Sequence, residues 1–160
     1  MTSAANQHTY TTTTRWTGND GSGTSSYRAY RRDHDVVAGG KAPIACSSDP
    51  AFRGDRTRYN PEELLVASLS ACHMLWYLHL CAVSGVVVTG YVDTASGTMD
   101  ESTDGSGQFS SVVLRPAVRI AAGSDAGAAA ELHHKAHEMC FIARSVNFPV
   151  RCEPEVRVDA

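Results

Sequence analysis

The chain has 160 residues, an apolar share of 42% and a formal net charge of −3 at pH 7. This length suits one domain with a substantial core, residues 1–160, and the slightly acidic balance argues against a nucleic-acid-binding surface. The five cysteines are an odd number, and no secretion signal is recognisable ahead of them. We therefore expect free thiols and a cytoplasmic protein.

The first predicted element is a hairpin near the N-terminus. Residues 1–7 are polar, and we expect them to be frayed. Within residues 8–38, two runs rich in β-branched and aromatic residues flank the turn sequence GNDGSG, which predicts an N-terminal hairpin. Residues 39–59 have the composition of a loop, although PIAC could form a short strand. Three arginines lie near the end of this loop: Arg53, Arg56 and Arg58.

Residues 60–85, NPEELLVASLSACHMLWYLHLCAVSG, predict one long central helix. Asn60 is a suitable N-cap, and Pro61 suits the first helical position because its missing N–H would have no partner there. Gly85 can end the helix in a left-handed conformation. A run this long and apolar could also cross a membrane, but its internal histidines, serines and cysteines and the lack of flanking basic clusters favour a helix inside a protein.

The spacing of apolar residues predicts which face of this helix meets the core. Spacings of four and three align Leu65, Leu69, Cys72, Trp76, His79 and Val83. The pattern therefore places Cys72 in the middle of a core-facing stripe. A buried cysteine can also be a small apolar residue without chemistry.

The second half of the chain predicts strands, a helix and a last strand. Residues 86–122 alternate in polarity around a polar loop, and Pro116 favours an edge position or a bulge. Ser124 is a suitable cap for a second helix over residues 124–140, and residues 151–158 predict the last strand. Together these elements predict an α+β domain in which antiparallel sheets pack against a long central helix and a second helix.

The stretch NPEELLVASLSAC resembles the signature of the osmotically inducible protein C / organic hydroperoxide resistance (OsmC/Ohr) family. In that family Asn-Pro-Glu opens the central helix, and the peroxidatic cysteine follows ten residues after the glutamate. Those positions are Glu62 and Cys72 here. The family's second cysteine ends a helix near the C-terminus, and AHEMCFIARSV supplies it as Cys140. The resemblance extends from about Thr9 to Val158 and implies the OsmC-like fold and an intertwined homodimer with active sites at the subunit interface.

The resemblance also implies an activity, a thiol-dependent peroxidase that reduces organic hydroperoxides. Cys72 would attack the peroxide and become a sulfenic acid, and Cys140 would then form a Cys72–Cys140 disulfide. The sulfur carries the redox chemistry, so no flavin, haem or metal is expected. The family implies dihydrolipoamide or a lipoylated protein as the reductant. The partners expected are therefore a second copy of the chain, a hydroperoxide and a dithiol, with neither nucleic acid nor membrane.

A thiol in apolar surroundings needs a neighbouring cation to ionise. OsmC-type members place an arginine in the loop before the NPE motif, and Arg53 is the match, with Glu62 holding its guanidinium in a carboxylate pair. The loop differs slightly in length from the family pattern, so Arg56 and Arg58 remain alternatives. Ten helical residues rise about 15 Å, so Glu62 cannot reach Cys72, and the arginine or a second chain must complete the site.

One residue next to the second cysteine departs from the family pattern. Family members often have proline after this cysteine, whereas Phe141 follows Cys140 here. The segment after Cys140 predicts a short helical turn, whose N-terminus would make the thiol more reactive. A competing hypothesis therefore keeps the OsmC-like fold but gives the protein no peroxidase turnover. In it, the protein is a stress-associated or redox-sensing protein that binds a small apolar ligand in the interfacial pocket.

The pocket walls and the histidines complete the predictions. We expect the apolar walls to come from Leu69, Trp76, Tyr77 and Phe141. We expect His79 to be a core histidine, with a place at the border of the pocket as the alternative. A zinc site could be imagined from His133 and His137, or from Cys72, His73 and His79. No HExxH or paired CxxC motif supports either set, and the neighbouring Lys135 and Glu138 predict that His133, His134 and His137 lie on an exposed face.

Overall fold

The computed structural model describes residues 6–160, so most of the segment predicted to be frayed, residues 1–7, lies outside the described part. Nine strands and two α-helices, with two short 3-10 turns, make up the described chain. The α+β class predicted from the sequence is confirmed. The chain divides into two compact units, the first ending at Glu63 and the second comprising Leu64–Ala160.

The N-terminal unit contains a three-stranded antiparallel sheet of β1 (Thr13–Trp16), β2 (His34–Val37) and β3 (Ile44–Cys46), in that order. The predicted hairpin is present as the β1–β2 pair, in which Thr13 lies opposite Val37. Its return strand is shorter than predicted, because residues 17–33 form a loop. Salt bridges from Arg31 to Asp20 and Asp33 lie within that loop.

The central helix α1 (Pro61–Val83) begins and ends where its capping residues predict. The Asn60 side chain accepts a hydrogen bond from the Glu63 N–H at 2.8 Å, and the Glu63 carboxylate accepts one from the Asn60 N–H at 3.0 Å. This reciprocal pair is a capping box. At the other end, Gly85 has φ 75°, a conformation that glycine adopts without steric cost.

By length and composition, α1 is the one helix in residues 6–160 that could cross a membrane. Core helices of soluble proteins pass the same test, so the finding is weak evidence for a membrane span.

The C-terminal unit contains two three-stranded sheets. One has the order β4 (Val88–Asp93), β7 (Pro116–Ile120), β9 (Glu155–Val158), and the other has the order β5 (Ser96–Glu101), β6 (Gly107–Leu114), β8 (Val150–Cys152). In each sheet the first pair is antiparallel and the second is parallel. The sheets are therefore mixed, whereas the sequence pattern predicted antiparallel sheets.

Three predicted strands are each divided in two. The break between β4 and β5 follows Asp93, whose carboxylate accepts a hydrogen bond from the Arg115 N–H at 2.7 Å. Arg115 separates β6 from β7, and Pro154 separates β8 from β9. The prediction that Pro116 marks an edge or a bulge was wrong. Pro116 is buried at the start of the central strand β7, a position where proline is also tolerated.

The second helix, α2 (Ala126–Met139), confirms the predicted helix but has a different cap. Asp125 is the N-cap, and its carboxylate accepts a hydrogen bond from the Ala128 N–H at 3.0 Å. The predicted cap Ser124 instead accepts one from the Val87 N–H at 3.1 Å. Both residues are good caps, so the sequence alone could not distinguish them. The helix ends immediately before Cys140, as predicted.

The buried face of α1 differs from the predicted stripe. The residues it buries are spaced by four: Leu69, His73, Tyr77 and Cys81. Of the predicted stripe, Cys72 is half-buried, and His79 and Val83 are exposed. Apolar residues surround this helix on nearly all sides, so spacing alone does not identify the core face. Cys72 therefore lies beside the core face.

Candidate active site around Cys72

Cys72 opens onto an apolar groove of about 570 Å³ on the C-terminal unit. The groove is lined by Ser68, Ala71, Cys72, Leu75, Trp76, His79 and Phe141. Trp76 is central to it, because its indole makes edge-to-face contacts with Phe141 at 5.5 Å and with His79 at 5.9 Å between ring centroids. An apolar surface of this size can accept an alkyl or aryl group next to the thiol.

Cys140 brings a second thiol to Cys72. It caps the C-terminus of α2, is buried, and its thiol lies near enough to the thiol of Cys72 for the two to interact electrostatically. Burial raises the pKa of Cys140, and the neighbouring Cys72 thiol raises it further. The N–H of Ala143 donates a hydrogen bond to Cys140 Sγ at 3.4 Å, which acts in the opposite direction. The structure thus brings together the two predicted redox cysteines.

The short 3-10 turn Ala143–Ser145 follows Cys140, as the sequence predicts. The turn acts in the predicted direction, because the N–H groups of Ile142 and Ala143 lower the pKa of the Cys140 thiol. Burial raises that pKa by more, so the net pKa of Cys140 lies above the ordinary value.

The two other predicted site residues belong to the N-terminal unit. Arg53 is exposed at the end of a 3-10 turn, has φ 66°, and holds its guanidinium 5.9 Å from the centroid of the Tyr27 ring. Glu62 lies in the first turn of α1 with one carboxylate oxygen buried and unpaired within residues 6–160. No salt bridge joins Arg53 to Glu62 in that part of the chain, so their predicted pairing stays a prediction.

The alternative arginines have different environments. Arg58 is half-buried and forms salt bridges with Asp35 at 3.7 Å and with Asp55 at 4.0 Å. Arg56 is exposed. Arg58 Nη1 is nevertheless buried without a hydrogen-bond partner within residues 6–160. Arg53 and Arg56 are the loop arginines free of salt bridges in the described chain.

Two of the four residues predicted to form the apolar walls of the pocket do line the groove. Trp76 and Phe141 line the groove, whereas Leu69 and Tyr77 lie on the opposite, core-facing side of α1. His79 is exposed and lines the groove, so the preferred prediction of a core histidine was wrong and the alternative, a place at the border of the pocket, is confirmed. These errors share one cause, the misassigned buried face of α1.

Comparison with known proteins identifies the family. Residues 54–155 match the family model described as OsmC-like protein. This chain belongs to the OsmC-like family. It is similar to an OsmC-like protein of unknown function from Vibrio cholerae, with 31% identity over 93% of this chain and 100% of the other, and a TM-score of 0.85.

More distant structures share the fold. An organic hydroperoxide resistance protein from Elizabethkingia anophelis is 17% identical over 98% of this chain and 100% of the other, with a TM-score of 0.70. The organic hydroperoxide resistance protein OhrB of Bacillus subtilis is 18% identical over 94% of this chain and 98% of the other, with a TM-score of 0.61. No curated protein sequence matches this chain significantly. The OsmC-like fold is thus established for nearly the whole chain.

This OsmC-like chain also contains a buried cluster that the sequence analysis missed. His73 of α1 and His133 of α2 are 1% and 2% exposed, and His73 Nε2 lies 3.0 Å from His133 Nδ1. Cys152 Sγ, on β8, lies 3.5 Å from the first nitrogen and 4.0 Å from the second. The prediction that His133 lies on an exposed face was wrong. The sequence did contain a signal for the burial of His133. The small residues Ala129 and Ala136 are spaced so that they share a helix face with His133, and these three residues form the buried face of α2.

Burial controls the protonation of this cluster. It lowers the pKa of His73 to about 4 and that of His133 to about 3, so both rings are neutral at pH 7. It raises the pKa of Cys152 to about 12, which keeps the thiol protonated. The cluster therefore carries no charge of its own.

Proposed function

We propose that this OsmC-like protein is a cytoplasmic, thiol-dependent peroxidase that reduces organic hydroperoxides. The observation that carries the proposal is the proximity of the Cys72 and Cys140 thiols beside an apolar groove. Cys72 is half-buried and borders the groove, whereas Cys140 is buried behind it. An incoming hydroperoxide therefore meets Cys72 first, which makes Cys72 the attacking residue and Cys140 the resolving one.

The reaction proceeds in three balanced steps. The Cys72 thiolate attacks one peroxide oxygen, the O–O bond breaks, and the alcohol leaves with a proton while Cys72 becomes a sulfenic acid. Cys140 then attacks the Cys72 sulfur, the hydroxyl leaves as water, and a disulfide forms. A dithiol, of the dihydrolipoamide or lipoylated-protein type, reduces the disulfide and is itself oxidised to a disulfide. Neither metal nor organic cofactor takes part in these steps.

Arg53 supplies the positive charge that favours the Cys72 thiolate, and Glu62 orients it. Two observations support this assignment over Arg58. Arg58 already forms ion pairs with two carboxylates, at 3.7 and 4.0 Å, and Arg53 is the one non-glycine residue with positive φ within residues 6–160. A left-handed backbone costs roughly 1–2 kcal/mol, and such strain is found at functional sites. The unpaired buried oxygen of Glu62 would be satisfied by a guanidinium in the working enzyme.

The working enzyme is a homodimer. The side of α1 next to Cys72 exposes an apolar stripe that includes Ala67, Ala71 and Leu75, and the Leu75 side chain is 63% exposed. Phe141, at the mouth of the groove, is 67% exposed. A second copy that covers this surface would exclude water from the reacting sulfur and enclose the organic part of the hydroperoxide.

The test is steady consumption of cumene hydroperoxide by the full chain with dihydrolipoamide present. We expect sustained turnover by the wild type, none by Cys72→Ser, and unchanged turnover by Cys46→Ala, which removes a buried thiol of the other unit. Full turnover by Cys72→Ser would contradict the proposal.

A second candidate function is redox sensing or binding of a small apolar ligand without turnover. The raised pKa of the buried Cys140 favours it, because a protonated thiol resolves a sulfenic acid slowly. In that case the protein would be oxidised once by cumene hydroperoxide and would not cycle with a dithiol.

A further inference from the structure

Three side chains that commonly bind metals converge inside the C-terminal unit, and the proposed peroxidase mechanism uses none of them. His73 comes from α1, His133 from α2 and Cys152 from the end of β8. Their ligand atoms all lie within 4.8 Å of one another. We propose that His73 Nε2, His133 Nδ1 and Cys152 Sγ form a Zn²⁺-binding site.

The distances fit one zinc ion. With Zn–N near 2.0–2.1 Å and Zn–S near 2.3 Å, tetrahedral angles place two nitrogen ligands about 3.3 Å apart, and a nitrogen and a sulfur about 3.6 Å apart. The cluster has 3.0 Å between the two nitrogens and 3.5 and 4.0 Å from the sulfur to each. Each observed distance is within about 0.4 Å of the tetrahedral value, so small side-chain movements suffice to seat the ion.

The donor set selects the class of metal. Two imidazoles and a thiolate suit Zn²⁺, whereas Ca²⁺ and Mg²⁺ require oxygen ligands. Zn²⁺ replaces the proton of Cys152, which passes to solvent as the Zn–S bond forms. The three donors lie on separate elements whose backbones are fixed by helix and sheet hydrogen bonds. An ion there would join α1, α2 and β8.

An entry path and a fourth position are also present. A cavity of about 100 Å³ reaches the cluster and is lined by His133, His134, His137, Val150, Cys152 and Pro154. His134 is exposed and His137 half-buried, so both could meet an ion on its way in. The cavity is large enough for a water molecule as the fourth ligand.

The surroundings favour a cation at this point. The Asp93 carboxylate interacts electrostatically with both His73 and Cys152. Hydrogen bonds from Ser70 Oγ at 2.5 Å and the Arg115 N–H at 2.7 Å hold that carboxylate in place. Zn²⁺ with one thiolate carries a net charge of +1, which Asp93 balances.

The site can be tested with Co²⁺ as a spectroscopic probe on the reduced, chelator-treated full chain. We expect one equivalent of Co²⁺ to produce an intense thiolate-to-cobalt charge-transfer band and the visible bands of tetrahedral Co²⁺, both removed by one equivalent of Zn²⁺. Cys152→Ala should lose the charge-transfer band and bind Zn²⁺ at least about 100-fold more weakly, because loss of a ligand costs more than loss of an outer partner.

Matched variants separate this site from the redox cysteines, which could also bind Co²⁺. Cys72→Ser and Cys46→Ala should both keep the charge-transfer band. Zn²⁺ at 100 times its Kd should raise the Tm of the wild type by about 5 °C or more, and should leave that of Cys152→Ala unchanged. Circular dichroism checks that each variant folds, and X-ray absorption of the wild-type Zn²⁺ complex should show two imidazoles and one sulfur.

The proposal would be overturned by a wild type that gives no thiolate-to-cobalt band. It would equally be overturned by a band that disappears in Cys72→Ser and persists in Cys152→Ala. None of these readouts requires peroxidase activity, so the experiment tests the zinc site independently of the peroxidase function.

Discussion

Cys72 and His73 are adjacent on α1, yet they belong to two different kinds of site. Cys72 borders an open apolar groove and lies near a second thiol, that of Cys140. His73 points into the core, where it meets a histidine and a cysteine. One helical residue turns the side chain by about 100°, which suffices to separate the proposed peroxidatic thiol from the proposed metal ligands. Cys72 and Cys152 are both half-buried, so the neighbours of each thiol, rather than its exposure, distinguish the two proposed roles.

The largest effect predicted by this comparison is the loss of activity in Cys72→Ser. Removal of the attacking sulfur should lower turnover of cumene hydroperoxide by at least about 1,000-fold. The matched variant at the other site, Cys152→Ala, should stay within about threefold of the wild type. Both rates come from a coupled assay with dihydrolipoamide. Equal losses in the two variants would remove the distinction between the sites.

Cys140→Ser should separate the attack on the hydroperoxide from the formation of the disulfide. The Cys72 sulfenic acid should form at a rate within about threefold of the wild type, because Cys140 does not touch the peroxide. Disulfide formation should be absent, and turnover with dihydrolipoamide should fall strongly. Rapid mixing followed by trapping with a sulfenic-acid reagent and mass spectrometry measures the first step. Failure to form a sulfenic acid would show that Cys140 is needed for the attack itself.

The buried cluster predicts a dependence of stability on pH in chelator-treated protein. His73 and His133 have folded pKa values of about 4 and about 3, below the ordinary 6.5. The unfolded chain therefore binds protons first, so stability is fully present above about pH 6.5 and is lost as the pH falls towards 4. Between pH 7 and pH 5 the free energy of unfolding should fall by about 3 kcal/mol. Cys152 and Tyr77 face the rings and stay protonated throughout, because burial raises the pKa of each.

Urea denaturation at several pH values measures this slope. His133→Asn should reduce it by about half, whereas His134→Asn, which changes an exposed histidine, should leave it as in the wild type. An unchanged slope in His133→Asn would show that the ring is not buried in the neutral form.

The smallest predicted effect concerns the groove. Phe141 contacts Trp76 beside Cys72, so Phe141→Ala should remove apolar contact with the organic part of the substrate. We expect KM for cumene hydroperoxide to rise by about 5-fold, a loss of about 1 kcal/mol. The rate with saturating substrate should change little. The change should be smaller for the less bulky tert-butyl hydroperoxide, and an equal change for both would exclude Phe141 from substrate contact.

Local sequence patterns predicted the parts of the fold that local interactions determine. The ends of α1 follow from Asn60 and Gly85, whose roles depend on neighbouring residues only. The proximity of Cys72 and Cys140 was predicted only through the family resemblance, because the two residues are far apart in sequence. The parallel pairing of Val112 with Val150 was missed for the same reason, since pairing between distant strands has no local signal.

The buried cluster was missed for a different reason. α1 is apolar on nearly every side, so periodicity could not show that His73 faces inward. In α2, the charged neighbours Lys135 and Glu138 suggested an exposed face, but they lie on the opposite side from His133. Residues from three separate elements have no fixed sequence spacing, so the cluster of His73, His133 and Cys152 could be recognised only in the folded structure.

The most direct test of the central claim is to treat the fully reduced protein with one equivalent of cumene hydroperoxide and to map its cysteines by mass spectrometry. We predict a Cys72–Cys140 disulfide within seconds, reversed by dihydrolipoamide, with Cys152 still reduced. If Cys72 and Cys140 both remained reduced, or if Cys152 were oxidised first, the assignment of peroxidase chemistry to the groove would be contradicted.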